Sequence, residues 1–171
     1  MAFNPAEMES QLLKGSALDV RRPQRASHYD WKVEENYYSD CSVLTTAASP
    51  VTLFNVTGVV EVKLVGMGNG ITSTSNTGTL AVGFTALTTL LLGTTTADTT
   101  NFPAANTVWI DTSATVVAEA MVASNLVGVL TTANIILTIA TNSMTAGTLR
   151  FMCAWRPWSS DGSVVSARSG G

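Results

Sequence analysis

His28 is the single histidine of the 171-residue chain, and the run Ser27-His28-Tyr29-Asp30 sets a hydroxyl and a carboxylate beside it. These are the residue types of nucleophilic acyl transfer. Triad members, however, meet through tertiary folding rather than as sequence neighbours, and the chain has no Gly-x-Ser-x-Gly elbow. Paired carboxylates would offer glycoside hydrolysis instead. Between Cys41 and Leu149 the acids are Glu61, Asp98, Asp111 and Glu119, of which Asp98 and Asp111 could meet across a loop. The stretch "GMGNG" at 66 to 70 has the glycines of a phosphate loop but lacks the lysine and the following helix, so it reads as a hairpin connection. No His/Cys cluster matches zinc and no Asp/Asn ladder matches calcium. Cys41 and Cys153 match neither a zinc nor a redox spacing and read as two buried thiols. The expectation is a protein that is not an enzyme, with no catalytic residues, no metal and no cofactor.

The elements that would position any such group are strands. From residue 43 the chain turns to Thr, Val, Ala, Leu, Ile and Gly, the composition of half-buried strands and their turns. In "VVEVKLVG", Val60, Val62 and Leu64 fall on one face and Glu61 and Lys63 on the other. Further candidates are "VTLFNVTG", "TLAVGF", "LTTLLLG", "TVWID", "TVVAEAMV", "NLVGVL", "NIILTIAT" and "GTLRFMCAW". In the last of these Leu149, Phe151, Cys153 and Trp155 alternate with Arg150, Met152, Ala154 and Arg156, so one face should be core. Ala118-Glu119-Ala120-Met121 admits a short helix, but the flanking β-branched residues favour strand. The spacing of these segments predicts an all-β protein, an antiparallel β-sandwich or jelly roll of about eight strands over residues 43–158, with a free tail at 159–171. Trp155 and Trp158, around Arg156-Pro157, could form a sugar platform; the reading preferred here puts Trp155 in the core and Trp158 over its edge.

Residues 1–42 read as an extended N-terminal arm with one short helix. Asn4 can cap it, Pro5 suits the first turn, Glu7 completes a capping pattern, Phe3 and Met8 form a hydrophobic staple, and Gly15 stops it, giving a helix at about 5–14. Such a helix is too short to be stable alone, so Met8, Leu12 and Leu13 need a receiver. The rest of the arm sets Tyr29, Trp31, Tyr37 and Tyr38 among charges, as contact surfaces do, and Arg21, Arg22 and Arg25 sit among acids that favour a salt-bridged protein contact over phosphate. The arm is charged and the body is nearly not: from Cys41 to Leu149 the charged residues are Glu61, Lys63, Asp98, Asp111 and Glu119. A net charge of −3 argues against nucleic acid as a partner. No apolar run reaches the roughly 18 residues of a membrane helix, which argues against a membrane partner. Glu7 and Glu9 stand where an export signal would be basic and apolar, so synthesis in the cytoplasm of a host is expected. A body with so few charges has little to keep copies apart, and self-association is expected.

The runs "VTLFNVTGVVEVKLVGMGNGITSTSNTGTLAVGF" and "NIILTIATNSMTAGTLRFMCAWRPWSSDGSVV" resemble small structural proteins of tailed bacteriophages, most of all the capsid decoration or cement class. The likeness spans about residues 43–166 and leaves out the arm. It implies a jelly-roll-like body, a homotrimer on the outside of the virion capsid, and the major capsid protein as partner. Phe3, Met8, Leu12, Leu13, Arg21, Arg22, Arg25, Tyr29, Trp31, Tyr37 and Tyr38 are then the expected contacts to capsid or neighbouring protomer. On this basis, removing residues 1–40 should leave a folded body that no longer binds shells. The alternative expectation is a tail or fibre component whose β domain binds a host glycan.

Overall fold

A computed structural model describes residues 31–103, 107–110, 114–115 and 128–168. From Lys32 onward these form one compact unit. It is all-β, and its strands are β1 (Lys32–Tyr38), β2 (Val51–Thr57), β3 (Val60–Ser73), β4 (Thr79–Phe84), β5 (Leu87–Thr96), β6 (Thr107–Trp109), β7 (Ala114–Thr115), β8 (Val129–Thr131), β9 (Ile135–Ala140), β10 (Met144–Pro157) and β11 (Ser163–Ser166). Every pairing is antiparallel.

The first sheet runs β1-β10-β3-β6-β7, with β8 also on β3; the second runs β11-β2-β9-β4-β5. Strands from the two ends of the chain therefore pair successively inward: β1 with β10, β2 with β9, β3 with β6 and β8, and β4 with β5. Strands alternate between sheets as the hairpin rolls up, which is the jelly-roll order. β6 lies along Gly66–Gly68 and β8 along Val60–Val62 of the same β3 edge, so together they act as one interrupted strand.

The inward faces close one core. β10 contributes Leu149, Phe151, Cys153 and Trp155, as its alternation predicts, and β3 contributes Val60, Val62 and Leu64. Leu53 and Phe54, Leu80 and Val82, and Ile135, Leu137 and Ile139 meet them from the second sheet. Trp109 packs edge-on against Phe102, with ring centroids 6.0 Å apart, and tilts over Phe151 at 6.3 Å.

Three expectations are corrected. Residues 32–42 are not extended arm: β1 pairs with β10 over seven residues and is followed by a 3-10 turn at Cys41–Val43 that buries Cys41. The "GMGNG" glycines are not a hairpin connection either, because Gly66 and Gly68 lie inside β3. A Cβ on Gly68 would collide with Phe102 and Ile71, so the glycine is where the ring enters the core. The tail is not free, since Val164 of β11 is buried and β11 extends the second sheet beside β2. The eight strands of the roll are thus joined by β7, β11 and the division of the β6/β8 edge. The segment read as "TVVAEAMV" lies almost wholly outside the described residues.

Candidate protein-docking face

The outward side chains of the first sheet follow from its register. One row runs Leu130, Glu61, Arg156; the next Lys63, Ala154, Val33; the next Val65, Met152, Glu35; and the last Val108, Met67, Arg150, Tyr37. Antiparallel sandwiches commonly present a polar outer face. This face is instead apolar at Val65, Ala154 and Met152 on its central strands, with Leu130 54% and Val33 57% exposed at its edges.

Charges on the face are tied to one another. Glu61 Oε2 accepts from Arg156 Nε at 2.5 Å and from Trp158 Nε1 at 3.1 Å. Burial alone would push the Glu61 carboxyl up, but the hydrogen bonds from Trp158 and Arg156 and the charges of Arg156 and Lys63 outweigh it and hold it below its ordinary value. The Arg156 guanidinium also lies 5.9 Å from the Trp158 ring, whose side chain stays largely in solvent at 59% exposure. Trp158 is fixed at its edge by a carboxylate and has the Arg156 guanidinium over its ring, with the rest of the side chain in solvent. Farther along, Arg150 pairs with Glu35 at 3.1 Å and covers the Tyr37 ring at 5.1 Å. Tyr37, Met67, Asn69, Thr148 and Arg150 border a cleft of about 380 Å³ there. Bringing ions into a contact is costly when they are alone, and less so when each already has its partner.

The expected contact residues divide. Phe3, Met8, Leu12, Leu13, Arg21, Arg22, Arg25 and Tyr29 lie outside the described residues, as does the Ser27-His28-Asp30 run. Trp31 is 38% exposed. Tyr37 is on this outward face, half-buried. Tyr38 is a correction: it points inward, 2% exposed in the core, and Arg168 caps its ring at 4.5 Å, so it cannot be a surface contact. Its neighbour in the alternation, Asn36, is also inside and donates to Leu53 O at 2.7 Å, linking the two sheets.

The chemistry-bearing residues resolve into structural roles where they are described. Asp98 caps a turn, accepting from the Thr100 and Asn101 backbone amides at 3.0 and 2.8 Å; Asp111 lies outside the described residues. Burial pushes both thiols, Cys41 and Cys153, up to about 12, with Asp40 and Glu34 respectively adding to the effect. Among the described residues no group of His, Cys, Asp and Glu is placed to hold a metal, and no helix is long and apolar enough to cross a membrane.

Sequence reasoning passed over Val65, Met67, Met152 and Leu130. A signal for them exists: beyond Lys63, β3 has hydrophobic residues at outward as well as inward positions, and a strand apolar on both faces is one that something covers. The chain matches no protein-family model, no curated protein and no solved structure.

Proposed function

We propose that this protein is a structural virion component that binds the outside of a phage capsid as an oligomer and stabilises the shell, with the chain before Lys32 reaching over capsid or neighbouring subunits. The observation that carries the reading is a jelly-roll body whose first sheet turns an apolar, charge-paired face outward. Together with the sequence resemblance, such a body fits an architectural part. Cementing needs no reaction: a protein that binds the assembled shell and not its free subunits stabilises it by mass action. Several arms on one oligomer add avidity. A homotrimer and the major capsid protein are the partners this reading assigns.

The test is to mix the purified full chain with expanded, undecorated phage heads and image the product. Regular density at threefold or quasi-threefold positions is the expected result. Bare heads would overturn the reading.

A second reading has one observation in its favour, the largely exposed Trp158 ring held beside Glu61 and Arg156. Aromatic faces flanked by charged groups can stack on sugars, as a glycan-binding tail or fibre domain requires. Binding on a glycan array that is lost in Trp158→Ala would favour it.

A further inference from the structure

We infer that the outward face of the first sheet, centred on Val65, Met152 and Ala154 and bounded by Val33, Leu130 and Trp158, is buried against a second copy of this chain. The inference deepens the self-association in the reading above and does not depend on the shell.

Three observations converge. First, the pairing register makes Val65, Met152, Ala154 and Val33 contiguous, Val65 opposite Met152 and Ala154 opposite Val33 on neighbouring rows, with Leu130 at the β8 edge across Glu61. Leu130, Val33 and Trp158 are each more than half exposed, so the patch is not covered by the rest of the described body. Contiguous apolar surface of this kind marks interaction sites, whereas scattered exposed residues do not. Val43, Leu87, Leu90 and Val165 are the scattered kind, distributed over other elements.

Second, charge decides which partner fits. Glu61 is satisfied by Arg156 and Trp158, and Glu35 by Arg150, within the same protomer. The face therefore presents no carboxylate that demands a cation from outside. With Lys63 the face holds three cations (Lys63, Arg150, Arg156) against two carboxylates (Glu35, Glu61), a sum of one positive charge. A strongly charged partner would find little to neutralise it, while a second copy brings the same nearly balanced groups. Third, the charged residues between Cys41 and Leu149 are so few that nothing sets copies repelling one another. Trp158 and Arg156 at the rim are the residue types that concentrate binding energy in contacts between proteins.

The experiment is sedimentation of the full chain at tens of micromolar, compared with Met152→Glu, Leu130→Glu and, as a control on β11, Val165→Glu. The wild type is expected at a multiple of two or more of 17.9 kDa. Met152→Glu and Leu130→Glu should each fall to the monomer mass with unchanged far-ultraviolet circular dichroism, and Val165→Glu should keep the wild-type mass. Leu130 is on the short edge strand β8, so its variant tests the face even if Met152→Glu disturbs folding. A monomeric wild type overturns the inference, as do face variants that remain oligomeric or a control that dissociates equally. No heads are used, so failure of shell binding and failure of this interface are separately visible.

Discussion

Gly68 illustrates how much of this protein is decided by single side chains. It occupies a core position of β3 because the Phe102 ring stands where its Cβ would be. Gly68→Ala is expected to cost about 1–3 kcal/mol, the usual penalty of overpacking, measured as a lowered urea midpoint at unchanged slope. The two thiols make a second prediction. Their folded values near 12 exceed an ordinary thiol value of 9.0, so the folded state keeps its protons where the unfolded state loses them. Stability from this source is complete below pH 9.0 and falls as pH rises toward about 12. Cys41→Ala with Cys153→Ala should flatten that alkaline limb, and neither native thiol should react with an aromatic disulfide reagent until the protein unfolds. Glu61 has the opposite sign: its carboxyl is held below 4.5, so its contribution is present above that pH and is lost as pH falls through the folded value. Glu61→Gln should cost about 1.5–3 kcal/mol at neutral pH, as a hydrogen bond to a charged group does. Protonating Glu61 in acid should change Trp158 fluorescence through the lost Nε1–Oε2 bond, and Glu61→Gln should abolish that change.

At the scale of elements, legibility depended on whether the alternation was clean. β10 and the first half of β3 were readable because large apolar side chains occupy every second position. β1 was not, since its inward positions include Glu34 and Asn36, and only the Leu53 carbonyl across the sandwich makes Asn36 acceptable inside. β11 was hidden for another reason. "SVVS" offers one core residue, Val164, and four residues become a strand only when a partner such as β2 is already in place. Two truncations check these assignments by thermal unfolding. Ending the chain at Gly162 should lower the midpoint by several degrees, because it uncovers the β2 edge and removes Val164. Starting it at Asp40 should prevent folding, because it deletes β1, buried Tyr38 included.

For the whole molecule, that second result sets the boundary of the arm. Starting the chain at Lys32 should leave a body with native circular dichroism, and on the proposed function that body should bind expanded heads at least tenfold more weakly than the full chain. Undiminished binding would remove the arm from the mechanism. By itself the sequence determined the all-β class, the core faces of β3 and β10, and the contrast between a charged beginning and a nearly uncharged body, because periodicity and composition are local properties that a chain carries before it folds. It also held, unread, the two-sided apolarity of β3. Only the tertiary structure decided that β1 belongs to the core, that Gly66 and Gly68 are strand residues, that β11 closes a sheet edge, and that Glu61, Arg156 and Trp158 meet. Each of these depends on contacts between residues far apart in the chain, where the partner rather than the local pattern fixes whether a polar, small or isolated residue can be accommodated.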